Sequence, residues 1–157
     1  MPLIHINLGS NTNRAYHINR AVDELRKIFN HLQQSAIYQS PAVGFTGNDF
    51  YNTGVNIKTQ FSVQQVFNHL HAIEHKLGRD RNQPKFSSRV IDLDLVLYGS
   101  LVSTQYRLPR ADILRYAFVL APLVELMPNT HHPIEKKTYR TLWQAFDLQQ
   151  KNSLIRL

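Results

Sequence analysis

Alternation of apolar and polar residues marks three segments of this chain and constrains its fold more than any other feature. The segments are LIHINL (3–8), FYNTGVNIK (50–58) and RVIDLDLVLYG (89–99), each with apolar residues at alternate positions. A period of two residues is typical of strands that bury one face. These strands therefore predict a sheet with one apolar and one more polar face. The polar face carries His5, Asn7, Asn52, Asn56, Asp92 and Asp94.

Segments with helical periodicity separate these strands. Apolar residues recur at helical spacing from about residue 14, and again from about Ser62 to Leu77. With SAIYQ (35–39) as a short strand, the order is strand, helix, strand, strand, helix, strand. That order predicts an α+β fold of the ferredoxin-like, split βαβ type, an antiparallel sheet with helices on one face. We expect the substrate site and its loops on the other side.

Length and composition set the remaining bounds. A chain of 157 residues with 43% hydrophobic residues predicts one domain, 1–157, with an ordinary globular core. No apolar run approaches the length of a membrane span, and the N-terminal residues lack the pattern of a signal peptide. The absence of cysteine excludes disulfides and thiolate metal sites, and it agrees with a cytoplasmic location.

Two aspartates lie side by side in the third alternating strand. Asp92 and Asp94 project from one face, where their charges repel each other and resist removal from water. The segment RDRNQPKFSSR (79–89) places four basic residues directly before them, in a chain with a net charge of +7. Three uses of the pair stay open here: general acid–base catalysis, Mg²⁺ binding, or a structural pairing with arginines. Carboxylates beside a cationic loop are also what phosphoryl transfer requires, although the chain has no P-loop motif.

Five regions of the chain, in order, resemble motifs of the 6-hydroxymethyl-7,8-dihydropterin pyrophosphokinase family. Each motif is weak alone, but five in order with compatible spacing are specific, and together they extend over almost the whole chain. The regions are INLGSN (6–11), SPAVG followed by DFYNTGV (40–55), IEHKLGRDR (73–81), KFSSRVIDLDLVLYG (85–99) and FVLAPLVELMP (118–128).

The resemblance implies an ATP-dependent pyrophosphokinase (diphosphotransferase) of folate biosynthesis. Such an enzyme transfers pyrophosphate from ATP to the hydroxymethyl group of the pterin and releases AMP. The implied cofactor is Mg²⁺, two ions bound with ATP, and the implied partners are ATP and a pterin alcohol. We expect a monomer that binds neither nucleic acid nor membrane.

The resemblance also assigns site residues. Asp92 and Asp94 match the metal-binding aspartates, and they count as catalytic together with Arg81 and Arg89. The pterin-binding positions are Ser40, Pro41, Ala42, Val43, Phe50, Asn52 and Phe118, with the two phenylalanines on either side of the ring. The ATP-binding positions are His71, Glu74, Arg79, Arg81, Lys85, Phe86, Arg89, Leu95, Arg110, Arg115 and Tyr116.

The chain departs from the family pattern chiefly in the predicted ATP site. Arg110 occupies the position of an ATP-contacting histidine, and Tyr116 replaces an arginine, with Arg115 one place earlier. Ser87 and Ser88 occupy the place of a Gly-Pro or Ala-Pro pair, which predicts a different closure of the basic loop. The metal and pterin positions are complete, so the expected change is confined to contacts with the triphosphate.

Two alternatives to an ordinary member of the family follow. One is a diverged paralogue that keeps the pterin pocket but has weak or altered transferase activity. The other is a ferredoxin-like RNA-binding module, which uses its sheet face and positive charge. Asp92 and Asp94 argue against the second alternative, because RNA-binding sheets present stacking aromatic residues and not two central anions.

Overall fold

The computed structural model describes residues 1–79, 82 and 88–157. Within these residues there are six strands and six helices. The strands are β1 (Leu3–Ser10), β2 (Gln33–Gln34), β3 (Tyr38–Ser40), β4 (Phe50–Lys58), β5 (Asp92–Tyr98) and β6 (Ile155–Arg156). The helices are α1 (Arg14–Ile28), α2 (Val63–Lys76), α3 (Asp112–Arg115), α4 (Ala117–Leu126), α5 (Tyr139–Gln144) and α6 (Leu148–Ser153).

The strands form one antiparallel sheet in the order β5-β1-β4-β3-β6, and β2 pairs with β4 beside β3. The first strand, β1, therefore lies between β4 and β5, the strand that carries both aspartates. This is the arrangement of a split βαβ unit, in which α1 and α2 each connect two strands of the sheet. The predicted ferredoxin-like α+β fold is confirmed.

The aliphatic face of the sheet packs against the first two helices. Ile4, Ile6 and Leu8 of β1 are completely buried there, together with apolar residues of β4, α1 and α2. Ser62 begins α2 with a capping box, because its hydroxyl accepts from the Gln65 backbone while the Gln65 side chain accepts from the Ser62 backbone. The apolar stripes predicted from the sequence thus form the main core.

A further helix, α4, covers part of the opposite face. The segment FVLAPLVEL has no polar stripe, so its sequence indicated only an irregular tail, yet it forms a helix that packs against β4. Gly54 permits the close approach: a Cβ there would lie 2.6 Å from Pro122 Cβ and 2.6 Å from the His5 ring. The polar face is therefore enclosed at one end and open at the other, where the site lies.

Other boundaries agree with the sequence prediction to varying degrees. The strand β4 spans the predicted residues 50–58, and Gly78, with φ +95°, follows the end of α2 as expected for a glycine C-cap. The predicted strand 35–39 is displaced, because pairing with β4 begins at Tyr38 and a separate bridge forms at Gln33–Gln34. No helix in residues 1–79, 82 and 88–157 is long and apolar enough to cross a membrane.

Candidate active site

A cavity of about 360 Å³ lies over the open end of the polar face. The antiparallel register brings Gly9 of β1 between Asp92 of β5 and Asn52 of β4. Most of the lining residues are ones that the sequence assigned to a site. From the pterin set they are Ser40, Pro41, Val43, Phe50, Asn52 and Phe118, and from the metal and ATP sets they are Arg79, Arg89, Asp92, Asp94, Arg110, Arg115 and Tyr116.

The side chain of Asn52 is held in a fixed orientation at one end of the cavity. It is 2% exposed, and its Nδ2 donates to Ser40 Oγ at 2.8 Å and to the Tyr38 carbonyl at 3.3 Å. Its Oδ1 faces Gly9, where a Cβ would lie only 3.3 Å away. The missing side chain at Gly9 therefore leaves space beside an oriented amide, an arrangement suited to the polar edge of a flat ring.

Aromatic side chains form the walls beside this amide. Phe50 meets Phe45 edge to face, with ring centroids 6.4 Å apart, and Phe118 stacks on Tyr116 at 5.1 Å with an interplanar angle of 19°. All four rings line the cavity. Ala42, the remaining predicted pterin residue, belongs to the same loop as Pro41 but does not line the cavity.

Asp92 lies at the other end of the cavity in contact with arginines. Its Oδ1 is 2.9 Å from Arg79 Nη2, and its Oδ2 is 3.7 Å from Arg89 Nε. The carboxylate itself is 30% exposed, so it remains open to the cavity. The structural pairing considered from the sequence is thus present for this aspartate, and cations and an anion already meet at one point.

Asp94 has a different environment. Burial raises the pKa of its carboxyl to about 6; the nearby Arg110 guanidinium lowers the pKa and offsets this only in part, and Asp92 raises it further. A divalent cation would stabilise both ionised carboxylates, so the residues present fit a metal. In the described parts of the chain, however, no group of three or more His, Cys, Asp or Glu side chains is placed to hold one. Two aspartates alone leave most Mg²⁺ coordination positions to water or to phosphate oxygens.

Glu74 connects α2 to this end of the cavity without lining it. It is buried, its Oε2 accepts from the Leu93 backbone at 2.8 Å, and its Oε1 lies 3.8 Å from Arg79. Glu74 thereby fixes the strand between the two aspartates and orients the arginine that contacts Asp92. His71 is exposed on α2, and Leu95 is buried in the main core, so the structure places neither at the cavity.

Three residues that depart from the family pattern, Arg110, Arg115 and Tyr116, lie together at the cavity wall, whereas Ser88 does not line it and Ser87 lies outside the described residues. Arg110 Nη2 is 3.3 Å from Asp112 Oδ2, while Arg110 Nε is enclosed without a hydrogen-bond partner among the described residues. Arg115 and Tyr116 follow at the end of α3 and line the same wall. The region thus holds two arginines and one stacked tyrosine. The predicted residues Arg81, Lys85 and Phe86 lie outside the described part of the chain.

Four cavity residues were not predicted from the sequence: Asn7, Gly9, Phe45 and Asp112. Asn7 had been placed on the polar face by its strand period, but that pattern does not distinguish a lining residue from a structural one. Phe45 and Asp112 lie in segments without periodicity, so no local signal indicated them.

Asn11 is a further residue whose role depends on long-range contacts. Its Oδ1 accepts from the Arg89 backbone at 2.8 Å, and its Nδ2 donates to the Asn48 carbonyl at 3.2 Å. Its own backbone N–H donates to the Arg89 carbonyl at 3.1 Å. Asn11 therefore joins the loop before Phe50 to Arg89, one of the two arginines near Asp92.

The fold and the site define a ferredoxin-like α+β protein whose cavity combines paired carboxylates, arginines and an aromatic slot. Comparison with known proteins is consistent with this class. Residues 5–128 match the model of the family described as 7,8-dihydro-6-hydroxymethylpterin-pyrophosphokinase (HPPK).

Relatives with curated names agree. The chain is 30% identical over 141 residues to the 2-amino-4-hydroxy-6-hydroxymethyldihydropteridine pyrophosphokinase of Aquifex aeolicus, covering 87% of this chain and 88% of that protein. It is 36% identical over 115 residues to the Synechocystis protein of the same name, covering 72% of this chain and 58% of that protein. A folate synthesis bifunctional protein of Chlamydia muridarum is 29% identical over 95% of this chain and 37% of its own length.

Among solved structures, wild-type Plasmodium falciparum HPPK-DHPS with SDX-DHP superposes with a TM-score of 0.75. The match covers 99% of this chain but 47% of that longer chain, and at 13% identity it shows the fold alone. The chain belongs to the 7,8-dihydro-6-hydroxymethylpterin pyrophosphokinase family, which confirms the resemblance found in the sequence.

Proposed function

We propose that this protein transfers pyrophosphate from ATP to the hydroxymethyl oxygen of 6-hydroxymethyl-7,8-dihydropterin and releases AMP, a step of folate biosynthesis. Family membership supports the reaction, and one structural observation carries its assignment to residues. A single cavity joins an aromatic slot with an oriented amide at one end to two carboxylates with arginines at the other. Those two ends suit a flat polar ring and a polyphosphate, respectively.

At the ring end, we assign the pterin to the space between Phe50 and Phe118, above Gly9. Offset-stacked or edge-to-face aromatic contacts contribute about 0.5–1.5 kcal/mol beyond the burial of apolar area. The Asn52 amide, held by Ser40, is suited to read the polar edge of the ring because its orientation is fixed before the ligand arrives.

At the phosphate end, we assign Asp92 and Asp94 as the residues that would hold Mg²⁺, two ions bound with ATP. Bound Mg²⁺ would supply charge neutralisation on the phosphates and polarise the β-phosphoryl group. The Asp92 carboxylate is open to the cavity while its Oδ1 is paired with Arg79 at 2.9 Å. The ion pair with Arg79 therefore holds both groups in place before the substrates bind.

In the reaction, the hydroxyl oxygen of the pterin forms a bond to the β-phosphorus of ATP. The bond from that phosphorus to the oxygen bridging toward the α-phosphate breaks, and its electron pair leaves with AMP. The hydroxyl proton passes to solvent. Arg79, Arg89 and Arg110 act by stabilising the negative charge that develops on the phosphates, the kind of stabilisation that dominates phosphoryl transfer.

A weaker variant of the same activity is the second candidate, and the altered wall supports it. Arg110 is already paired with Asp112, and Tyr116 stacks on Phe118 where the family pattern has an arginine. Arg110 has to leave Asp112 before its guanidinium can contact ATP, and Tyr116 offers no positive charge at its position. We accordingly infer a lower affinity for ATP, or slower turnover, than the family pattern implies, with a complete pterin end.

We infer that residues 1–157 act as one domain, that the protein is a monomer, and that it works in the cytoplasm. The single domain and the location rest on the length, the composition and the absence of cysteine, and the monomer rests on the family resemblance.

Formation of AMP tests the reaction. With ATP and Mg²⁺, AMP is expected only when the hydroxymethyl pterin is present, in equal amount to the pterin pyrophosphate formed, and chelation of Mg²⁺ should stop both. AMP that forms at the same rate without the pterin would contradict the proposed acceptor. Pterin binding without AMP would favour a diverged binding protein.

A further inference from the structure

The central strand β1 separates the two ends of the cavity. Asn52 lies on β4 at one side of β1, and Asp92 and Asp94 lie on β5 at the other. A ligand that extends from Asn52 to the carboxylates therefore crosses β1. Two β1 residues line the cavity at this crossing, Gly9 and Asn7.

The antiparallel register places these two residues in successive rows. Gly9 lies between Asp92 and Asn52, and Asn7 lies between Asp94 and Gly54. Both glycines lack a side chain, so the Asn7 amide is the polar group that β1 presents beside Asp94. Its position is set by the pairing of three strands and by no flexible loop.

The Asn7 side chain is incompletely satisfied in the absence of a ligand. It is 5% exposed, and its Oδ1 is buried with no hydrogen-bond partner among the described residues. A buried acceptor without a partner is unfavourable, and such groups in native proteins usually have a specific reason. Rotation of the amide by 180° exchanges oxygen and nitrogen, so the side chain can offer the cavity an acceptor or a donor.

We propose that the Asn7 amide binds the hydroxymethyl oxygen of the pterin substrate and makes the site specific for the alcohol. The proposal rests on the proposed function, since it takes the ring to lie at Asn52 and the phosphates at Asp92 and Asp94. The group that joins ring and phosphate is then the hydroxymethyl group, which lies over β1. A hydroxyl both donates and accepts, as the amide does, and the bond orients the oxygen for attack.

The test is a comparison of two ligands that share the ring. Dissociation constants of 6-hydroxymethyl-7,8-dihydropterin and 6-methyl-7,8-dihydropterin are measured with Mg²⁺ and a non-hydrolysable ATP analogue, for the wild type and for Asn7→Leu. The wild type is expected to prefer the alcohol by about five- to tenfold, the value of one net hydrogen bond. Asn7→Leu, which keeps a similar volume, should bind both ligands with equal affinity.

Asn52→Ala is the comparison variant, because it should weaken both ligands while leaving their ratio unchanged. Thermal unfolding without ligand should show Asn7→Leu to be at least as stable as the wild type, since the unpaired acceptor is gone. If Leu does not fit, Asn7→Ala serves in the same comparison. An unchanged ratio in the Asn7 variant would overturn this inference, as would a loss confined to the ATP analogue. Failure of the wild type to bind either pterin would instead overturn the proposed function.

Discussion

The carboxylate of Asp92 lies 2.9 Å from the guanidinium of Arg79, whereas Asp94, two residues further along the same strand, forms no ion pair within the described parts of the chain. Burial raises the pKa of Asp94 to about 6. Because a raised carboxyl pKa means that folding disfavours the ionised form, ionised Asp94 lowers stability at pH 7, by at most about 3 kcal/mol. Asp94 therefore lowers the stability of the metal-free protein, whereas Asp92 is paired with an arginine.

From this difference we expect Asp94→Asn to raise the midpoint of thermal unfolding by a few degrees in metal-free buffer while abolishing pyrophosphate transfer. Asp92→Asn should abolish transfer without that gain, because it removes the carboxylate that contacts Arg79 at 2.9 Å. Calorimetry at pH 7 and the AMP assay give the two measurements. Full activity in the double Asn variant would show that neither Asp92 nor Asp94 is needed to bind the metal.

A second prediction concerns the aromatic slot. Phe118→Ala should weaken pterin binding about tenfold, because it removes both the stacking contact and the buried apolar area. ATP affinity should change much less. Phe146→Ala is the matched control, since Phe146 stacks on Trp143 in the C-terminal region and does not line the cavity. Equal losses for both substrates in Phe118→Ala would indicate general unfolding of the wall.

The altered wall leads to a third prediction. Loss of one well-placed donor to a transition-state anion costs about 2.7–4 kcal/mol, or 10²–10³ in rate. Arg110→His and Tyr116→Arg, singly and together, should therefore raise kcat/KM for ATP if the native wall is suboptimal. The KM of the pterin should stay within about twofold. Unchanged ATP kinetics in all three variants would mean that this segment lies outside the nucleotide site.

If both single variants instead lose activity, Arg110 and Arg115 already form a working clamp. Arg110→Ala distinguishes the cases, because it should reduce turnover only where the guanidinium contacts ATP. Asp112→Asn provides a further comparison, since it releases Arg110 from its ion pair while keeping the size of the side chain.

A fourth prediction concerns pH and stability. His5 is completely buried with Nδ1 2.6 Å from Asn56 Oδ1, and burial lowers its pKa to about 4. Between pH 4 and about 6.5 the unfolded chain binds more protons at this residue, so its contribution to stability rises with pH through that window. The contribution of His5 to the free energy of unfolding should fall by up to about 3 kcal/mol as pH drops from 6.5 to 4, while Asp94, whose pKa is raised, contributes in the opposite direction.

His5→Phe should remove the His5 contribution from this part of the curve, whereas His131→Gln, a change at an exposed histidine, serves as the control. His132 is also buried with a pKa lowered by burial, so it contributes in the same direction to both curves. The difference between wild type and His5→Phe isolates His5. A difference that does not vary with pH would show that His5 is not protonated on unfolding.

The fifth prediction concerns Gln150, which holds the wall from behind. Its Oε1 accepts from the Ala117 backbone at 3.1 Å, and its Nε2 donates to the Arg115 carbonyl at 2.9 Å. Gln150→Leu should raise the pterin KM about fivefold, because two hydrogen bonds that fix the turn before Phe118 are lost. Gln149→Leu, at an exposed neighbour on the same helix, should leave it unchanged. Equal effects of the two variants would exclude a positioning role.

The strands and the first two helices could be predicted because their patterns are local. The period of two in β4 and the apolar stripe of α2 are complete within each segment, so the sequence alone indicates them. The helix α4 could not be predicted in this way, because a segment without a polar stripe shows no helical periodicity. Its packing depends on Gly54, more than sixty residues earlier.

The site residues likewise divide into those with a local sequence signal and those without one. The motifs that place Asn52, Asp92 and Phe118 are short and sequential, and they identify the segments that meet at the cavity. Asn7 and Asn11 act through strand register and through hydrogen bonds to residues far along the chain, which no local pattern encodes. The pairing of Arg110 with Asp112, two residues apart, depends on the turn between them, and the sequence did not predict it.

The two-residue strand β6 has a consequence for the solubility of shortened forms of the chain. It pairs with the outer edge of β3, and the Leu157 N–H donates to the Ile37 carbonyl at 2.9 Å. A chain cut after residue 128, where the family match ends, would leave that edge with unpaired backbone groups, a template for pairing between molecules. Such a truncated chain is expected to aggregate through β3 even where its cavity residues are all retained.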